Sequence, residues 1–595
     1  MNLFIHPALI LLGGALLLPF VRGPLRSVYL LLVPMLTLAA VLGNSMASGI
    51  FATFSYMEWE LVFGRVDKLA TVFALIMALV TILATLYGLH VEKNGEHMAA
   101  WTYAAGSLGV IYCGDYLSLF LFWEMMAFSS VFLVWFRRGP KSLQTGYRYL
   151  LIHTLGGVIL LAGILLRYQA VGDITFSLLD IKEPQLYTWL IMLGFGLNAA
   201  MVPLHSWLPD AYGEASFNGA IFLCAITTKT AVYTLARSCA GFEVLIVLGV
   251  IMALYGLFYA ILENDVRRLL AWSIVSQVGY MVAGIGIGTE LAINGAVAHA
   301  VVHILYKSLL FMGAGAVLYK TGQTKFSELG GLCAKMPATC GLTLVGCLSI
   351  AAVPGFAAYV SKSMIITAGF EAHHTWAAWL LMFAAIGTIL YNGLKLPWFL
   401  FFGENRCSSA TWEKAGDPPL NMLIAMTMGA TLCILVGIAP GYLYSALPFV
   451  TGYTPYTAFH LVETLQLLGF SALAFYLLKG LLTPKDVVYV DMDWFYRQGG
   501  RAFMWLVRHP LQWIDWAWGE LYRSLALPLT ILSARFASWF DWHVIDGIVD
   551  GLARTVRALG GQLRYLQSGQ MQYVFFQVFA LAALLLIALS LFLLY

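Results

Sequence analysis

An all-α polytopic membrane protein is the fold this chain predicts, and three features predict it. The 595 residues are 61% hydrophobic and only 11% charged, with a mean hydropathy of +0.82, whereas soluble chains carry about 25% charged residues. The apolar residues fall in runs long enough to cross a bilayer as helices. Lysine and arginine collect in alternate loops, which marks those loops as cytoplasmic. The net charge of +3 is small, and no basic cluster is interleaved with aromatics, so nucleic acid is not an expected partner. The eight cysteines contain no C-x-x-C pair, which argues against an iron–sulfur or zinc site and leaves no metal or cofactor expected.

The runs lie at 4–20, 27–43, 68–90, 100–114, 116–136, 148–168, 186–204, 217–238, 243–262, 269–288, 293–319, 339–372, 376–403, 421–445, 460–482 and 572–594. They predict about 14–16 transmembrane helices. The N-terminal MNLFIHPALILLGGALLLPF has no basic region and no clear cleavage site, so it reads as a first span and not a signal peptide. The 339–372 run is too long for a simple span, and Val353-Pro354-Gly355 must break or kink it. With the N-terminus outside, the inside loops hold Arg22 and Arg26, then Arg137, Arg138, Lys141 and Arg148, then Arg267 and Arg268, Lys320, Lys325 and Lys335, and Arg406 and Lys414. The outside loops hold Glu58, Glu60, Asp173, Asp180 and Glu371. That asymmetry sets the orientation.

Residues 485–570 are too polar to span and carry seven tryptophans, Trp494, Trp505, Trp513, Trp516, Trp518, Trp539 and Trp542. Tryptophan and mixed apolar–charged helices favour the membrane interface. A helix of about 45 residues there would reach roughly 70 Å. A lateral amphipathic helix along the cytoplasmic face is expected, re-anchored by the span 572–594; a soluble tail domain is the alternative.

Several spans carry ionisable groups where the bilayer should be: Glu124, Lys229, His299, His303, Lys307 and Lys362. A charge at the bilayer centre costs roughly 2.5–3.5 kcal/mol or more, so such groups face a bundle interior, a partner or water. His299, His303 and Lys307 are spaced i, i+4, i+8 and share one helix face. Imidazole titrates near neutral pH, and burial pulls a lysine toward that range, so the three suit a proton relay. The alternatives are histidines bonded to neighbouring helices beside a snorkelling lysine, or an H-x-x-x-H zinc pair. Glu124 has no basic residue one turn away on its own helix, so Lys229 is a plausible partner; a protonated Glu124 bonded to a carbonyl is the alternative. MVPLHSWLPDAYGEAS (201–216) places Pro203 and Pro209 beside His205, Asp210 and Glu214. A broken helix beside titratable groups suits a transport site, and an ordinary polar turn fits equally well.

VPLHSWLPDAYGEA followed by Lys229 resembles the PLHTWLPDA signature of the antiporter-like membrane subunits of respiratory complex I, of Mrp-type multisubunit cation/proton antiporters (D-type-like) and of membrane-bound hydrogenases. FWEMM around Glu124, NDVRRLLAWSIVSQVGYM (264–281), AHAVVHILYKSLLF and VPGFAAYVSKS resemble the same family in the same order, over about 68–403. VIDGIVDGLARTVRALGGQLRYLQSGQMQYVFF resembles the lateral helix and last span of the distal complex I subunit. The resemblance implies two inverted five-helix repeats with discontinuous helices. The corresponding organisation is N-terminal helices 1–95, a first repeat 96–240, a second repeat 241–403, C-terminal helices 404–484, a lateral helix 485–570 and an anchoring helix 571–595. It also implies a proton path through Glu124, Lys229, His299, His303, Lys307 and Lys362.

One departure matters. Asn198 stands seven residues before His205, where the resemblance implies a lysine, so the expected ion-pair partner of Glu124 is missing and the first half-channel is in doubt. Asn198 to Lys229 is 31 residues and Lys362 to Lys395 is 33, which makes Lys395 a candidate counterpart of Lys229. The implied function is a proton-translocating subunit of a multisubunit pump or antiporter, a translocase component without a redox centre of its own. It would move H+, alone or in exchange for Na+, beside other membrane subunits in the bilayer of a bacterial cytoplasmic (inner) membrane. The alternatives are a non-conducting assembly or anchoring subunit, a subunit of an inorganic-carbon uptake complex, and a redox enzyme with its own haem or quinone.

Overall fold

The computed structural model describes residues 4–487, 489–566 and 569–594 and divides into two units, residues 1–492 and 493–595. In the first unit, α1 (Pro7–Leu17) and α2 (Pro24–Asn44) each begin on a proline, whose missing N–H is harmless in the first turn. A β-hairpin follows: β1 (Gly49–Tyr56) pairs antiparallel with β2 (Trp59–Val66) across Met57-Glu58. The all-helical expectation did not include it. This stretch is rich in aromatic and β-branched residues, which suit a pleated surface, and Met57 takes the left-handed φ of 54° that so short a turn requires.

Helices α3 (Lys68–Tyr87), α4 (Asn94–Tyr112), α5 (Tyr116–Trp135) and α6 (Pro140–Val171) then run as full-length elements. Asp67 and Asp115 cap α3 and α5, accepting from Ala70 N at 2.8 Å and Ser118 N at 2.7 Å. The next segment is broken into α7 (Leu186–Asn198) and α8 (Trp207–Glu214). The expected single span 217–238 is likewise two helices, α9 (Gly219–Ala225) and α10 (Thr227–Ser238), joined at a kinked Ile226. Helices α11 (Glu243–Leu262), α12 (Val266–Ile287) and α13 (Glu290–Thr321) are continuous.

The long 339–372 run resolves into α14 (Pro337–Ile350) and α15 (Tyr359–Glu371), with the predicted proline break between them. The two breaks share a detail: Ala200 and Ala352, in Ala199-Ala200-Met201-Val202-Pro203 and Ala351-Ala352-Val353-Pro354, are both left-handed, with φ of 58° and 57°. Helix α16 (Thr375–Thr388) continues through two π-helical turns to Phe402, and α17 (Ser409–Lys414), α18 (Leu420–Ile438), α19 (Pro440–Ala446) and α20 (Ala458–Leu478) complete the unit.

Among the described residues, twelve helices are long and apolar enough to cross a membrane, with Pro7–Phe20, Leu186–Asn198 and Pro337–Ile350 as shorter apolar helices. The protein is a polytopic all-α membrane protein. The apolar windows of Gly219–Ser238 and Val266–Ile287 are 100% buried and that of Glu290–Thr321 is 94% buried, against 11% for Ala458–Leu478. The helices that carry most of the buried cations are thus the central ones, where charge is least exposed to lipid. Helices α11 and α12 meet backbone to backbone. A Cβ on Gly249 would lie 2.4 Å from Ala283 N, and one on Gly256 2.5 Å from Ser276 N, the close approach that small residues permit in membranes.

The second unit holds α21 (Asp493–Leu506), α22 (Gln512–Leu521), α23 (Leu527–Phe540) and α24 (Asp546–Leu566), joined by π-helical turns into one helical run, followed by α25 (Met571–Leu594). Pro510 falls in the first π turn, where a widened ladder accommodates its missing donor. The run from 493 to 566 is longer than the 45 or so helical residues expected and reaches roughly 110 Å. Trp513, Trp516, Trp518, Trp539 and Trp542 are exposed along it, and further on so are Leu552, Val556, Leu559 and Leu563, spaced as one helix face.

Candidate functional site

Helix α13 places His299, His303 and Lys307 on one face, as their spacing predicted, and all three are fully buried. His299 Nδ1 pairs with Ser361 Oγ on α15 at 2.9 Å. The rings of His299 and His303 have centroids 6.2 Å apart, and neither ring nitrogen of His303 has a hydrogen-bond partner among the described residues. Lys307 Nζ donates to Leu270 O at 3.1 Å and to Ser273 Oγ at 2.7 Å on α12. Asn392 Nδ2 donates to the same serine at 2.6 Å.

The other buried lysines follow one rule: each is held by carbonyls released where a helix stops. Lys362 Nζ donates to Ile350 O at 2.9 Å, the end of α14, and lies over the Tyr280 ring. Lys229 Nζ donates to Cys224 O at 2.5 Å, the end of α9, and to Thr228 Oγ1 at 3.0 Å. Lys395 Nζ donates to Ile261 O at 2.6 Å and Glu263 O at 2.8 Å, the end of α11. Helix C-termini carry partial negative charge and unpaired carbonyls, so they hold an ammonium without a carboxylate. The proton on such a lysine is not locked by a strong ion pair. Cys224 also touches Ser308 Oγ at 4.0 Å. Lys229, Lys307, His299 and Lys362 all lie within electrostatic reach of His303, so the five groups form one buried cluster.

The suggested ion pair between Glu124 and Lys229 does not form: the Lys229 ammonium turns to Cys224 O and Thr228 instead. Glu124 projects onto the backbone of Gly157 on α6, where a Cβ would come within 1.8 Å of Oε1, and Oε1 has no hydrogen-bond partner among the described residues. One turn earlier on α6 stands His153, which the sequence reading passed over inside an apolar run. It is buried between Tyr149 and Trp207, with ring centroids 4.1 Å and 4.5 Å away. Asn198, the last residue of α7, faces it within side-chain hydrogen-bonding reach, and among the described residues no other hydrogen-bond partner meets either side chain. A lone histidine in an apolar span was the signal that could have found it.

In the 201–216 segment, Asp210 bridges Arg148 at 3.2 Å and Arg268 at 2.9 Å, and Glu214 pairs with Arg137 and Lys141. These acids tie the ends of α6, α8 and α12 together. His205 is fully buried, with Nε2 3.3 Å from Asp491 Oδ1. Tyr255 donates to the same oxygen at 2.6 Å, and Tyr259 donates to Val490 O at 2.6 Å. Burial works against the charge of Asp491, but its contact with His205 and the Tyr255 hydroxyl outweigh that and hold its carboxyl below the ordinary range. A depressed carboxylate contributes stability above its unfolded pKa and loses it as pH falls through the folded value. Amide exchange of 489–492 is therefore expected to be slow at neutral pH and to quicken only below about pH 4. Asp491→Asn is expected to quicken it at pH 7.

A row of buried lysines and histidines through the centre of a many-helix membrane bundle, flanked by two interrupted helices, defines a class: polytopic membrane proteins that carry ionisable groups at bilayer depth. Residues 113–388 match the family described as NADH:quinone oxidoreductase/Mrp antiporter, transmembrane. It is 28% identical over 422 residues to hydrogenase-4 component B of Escherichia coli (strain K12), covering 64% of this chain and 62% of that one, so it spans less than two thirds of that relative. It is 25% identical over 572 residues to NAD(P)H-quinone oxidoreductase chain 5 of Picosynechococcus sp., covering 86% of this chain and 85% of that one. Its fold is that of a chain in the Mrp complex from Dietzia sp., with a TM-score of 0.67 and 21% identity over 78% of this chain and 98% of that one.

Proposed function

We propose that this chain is a proton-translocating, antiporter-like membrane subunit of a multisubunit ion-pumping or cation/proton antiporter complex. One observation carries the reading: Lys229, Lys307, His303, His299 and Lys362 form a buried row across the central helices, with each lysine held by carbonyls or hydroxyls and none by a carboxylate. A buried, strongly paired lysine would be a fixed charge; one held by dipoles can give up and regain its proton. The family match and its relatives, which include Na+/H+ antiporter subunits, support the same reading. The paired left-handed alanines at the two breaks support the two-repeat arrangement. The first half is the weaker conductor: Glu124 has no ion-pair partner among the described residues and Asn198 cannot carry a proton charge. His153 is a titratable neighbour of Asn198.

The long run 493–566 and α25, whose apolar side chains are exposed throughout, suit contact with lipid and with further membrane subunits. The lysine and arginine asymmetry supports an N-terminus outside, in a bacterial inner membrane. The test is proton flux in membrane vesicles holding the complex. Lys362→Ala is expected to stop coupled flux while the amount of assembled complex is unchanged. Full flux in that variant would favour the second reading, an assembly and anchoring subunit, for which Asn198 and the long C-terminal run speak.

A further inference from the structure

A cavity of about 80 Å³ lies where the break after α14 meets α15, α16 and α20. Its walls include Lys362, Ser363, Thr367, His460 and Glu463. A water needs only about 10–15 Å³ of such space together with polar partners, so the cavity suits several. Helix α20 lies at the rim of the unit, with only 11% of its apolar window buried, where a carboxylate facing lipid is costly. Two titratable residues one turn apart on the face that closes this cavity therefore call for a reason. Lys362 is buried on the opposite wall, and His460 Nδ1 is buried with no hydrogen-bond partner among the described residues. Tyr359 and Tyr453 lie within electrostatic reach of Glu463. Glu463 stands in the second turn of α20, close to the 439–457 connection, so the cavity leads from Lys362 toward the membrane face that carries the turns 372–374 and 439–457.

We infer that Glu463, with His460 beside it, is the gate through which Lys362 exchanges protons with that face. The inference rests on the proton-translocating reading above. An N–H bond of the Lys362 ammonium breaks, cavity water carries the proton, and an O–H bond forms on the Glu463 carboxylate. A neutral amine and a neutral acid result. The acid then releases the proton to bulk water, and uptake is the reverse. No electrons move.

The test uses vesicles holding the whole complex, with Lys307→Ala as the reference for conduction. Glu463→Gln is expected to lower proton flux at least about a hundredfold, the low end of the range for loss of one proton-transferring group, and Glu463→Asp to keep most of it. Thr464→Cys is expected to react, above the background of the parental chain, with a membrane-impermeant thiol reagent from that one face. Loss of flux in Lys307→Ala with full flux in Glu463→Gln overturns the gate and leaves the wider reading standing. Unchanged flux in Lys307→Ala overturns both. Equal losses in Glu463→Gln and Glu463→Asp at normal complex levels make Glu463 structural, and an unreactive Thr464→Cys closes the cavity to that face; either result overturns the gate.

Discussion

Lys307→Ala is expected to lower proton translocation by the assembled complex about tenfold or more, equivalent to at least about 1.4 kcal/mol on the limiting barrier, with complex levels close to parental. The two halves of that expectation have separate physical reasons. Leu270 O lies inside the continuous helix α12 and keeps its ladder bond, so removing the ammonium costs it only an extra hydrogen bond, about 0.5–1.5 kcal/mol net. Ser273 keeps its bond from Asn392. Against this, the variant no longer desolvates an ammonium, which is itself worth several kcal/mol, so the bundle has little reason to unfold. Transport has no such compensation, because the proposed relay loses one of its few protonatable groups. Lys307→Arg sharpens the point. A guanidinium stays charged at all working pH values, so it can replace a fixed charge but not a proton carrier. Flux lost in both variants supports a relay; flux retained in Lys307→Arg would make Lys307 an electrostatic post.

Gly256→Val is expected to remove most of the assembled complex from the membrane. A Cβ at this position would sit 2.5 Å from Ser276 N and 2.7 Å from Trp272 O. Both are backbone atoms, so no side-chain rotation relieves the clash and α11 must move away from α12. Overpacking costs about 1–3 kcal/mol even where side chains can shift, and about 1–2 kcal/mol already changes abundance several-fold. The helix it is pushed away from, α12, carries Leu270 and Ser273, so any complex that does assemble should also seat Lys307 poorly. Gly13→Ala, with nothing within 4 Å of its Cβ, is the control and should leave yield and flux unchanged. Quantifying intact complex by native electrophoresis separates the two variants.

Much of this was legible in the sequence for local reasons. Helical spans follow from apolar run length, and a shared face follows from i, i+4, i+8 spacing. The break before Lys362 follows from Val353-Pro354-Gly355. What escaped notice depends on contacts between distant segments. The β1–β2 hairpin lay in a stretch with no long apolar run. The Glu124–Lys229 pairing looked reasonable because each residue needed a partner, but the kink at Ile226 turns Lys229 toward Cys224 O. His153 escaped because one histidine does not interrupt an apolar run, and its importance comes only from Asn198 facing it. Glu463 and His460 stand on a helix with no visible tie to Lys362 until α20 packs beside α15 and α16.

By itself the sequence determined that the chain lives in a membrane as a helical bundle and which of its residues place charge at bilayer depth, because hydropathy and helical period are properties of each segment alone. Only the tertiary structure decided what holds each charge. A buried ammonium needs compensation for lost water, and here that comes from carbonyls at the ends of other helices, within 2.5–2.9 Å of Lys229, Lys362 and Lys395; helix breaks turn the first two lysines back onto the preceding helix end, and the packing of distant segments brings the end of α11 to the third.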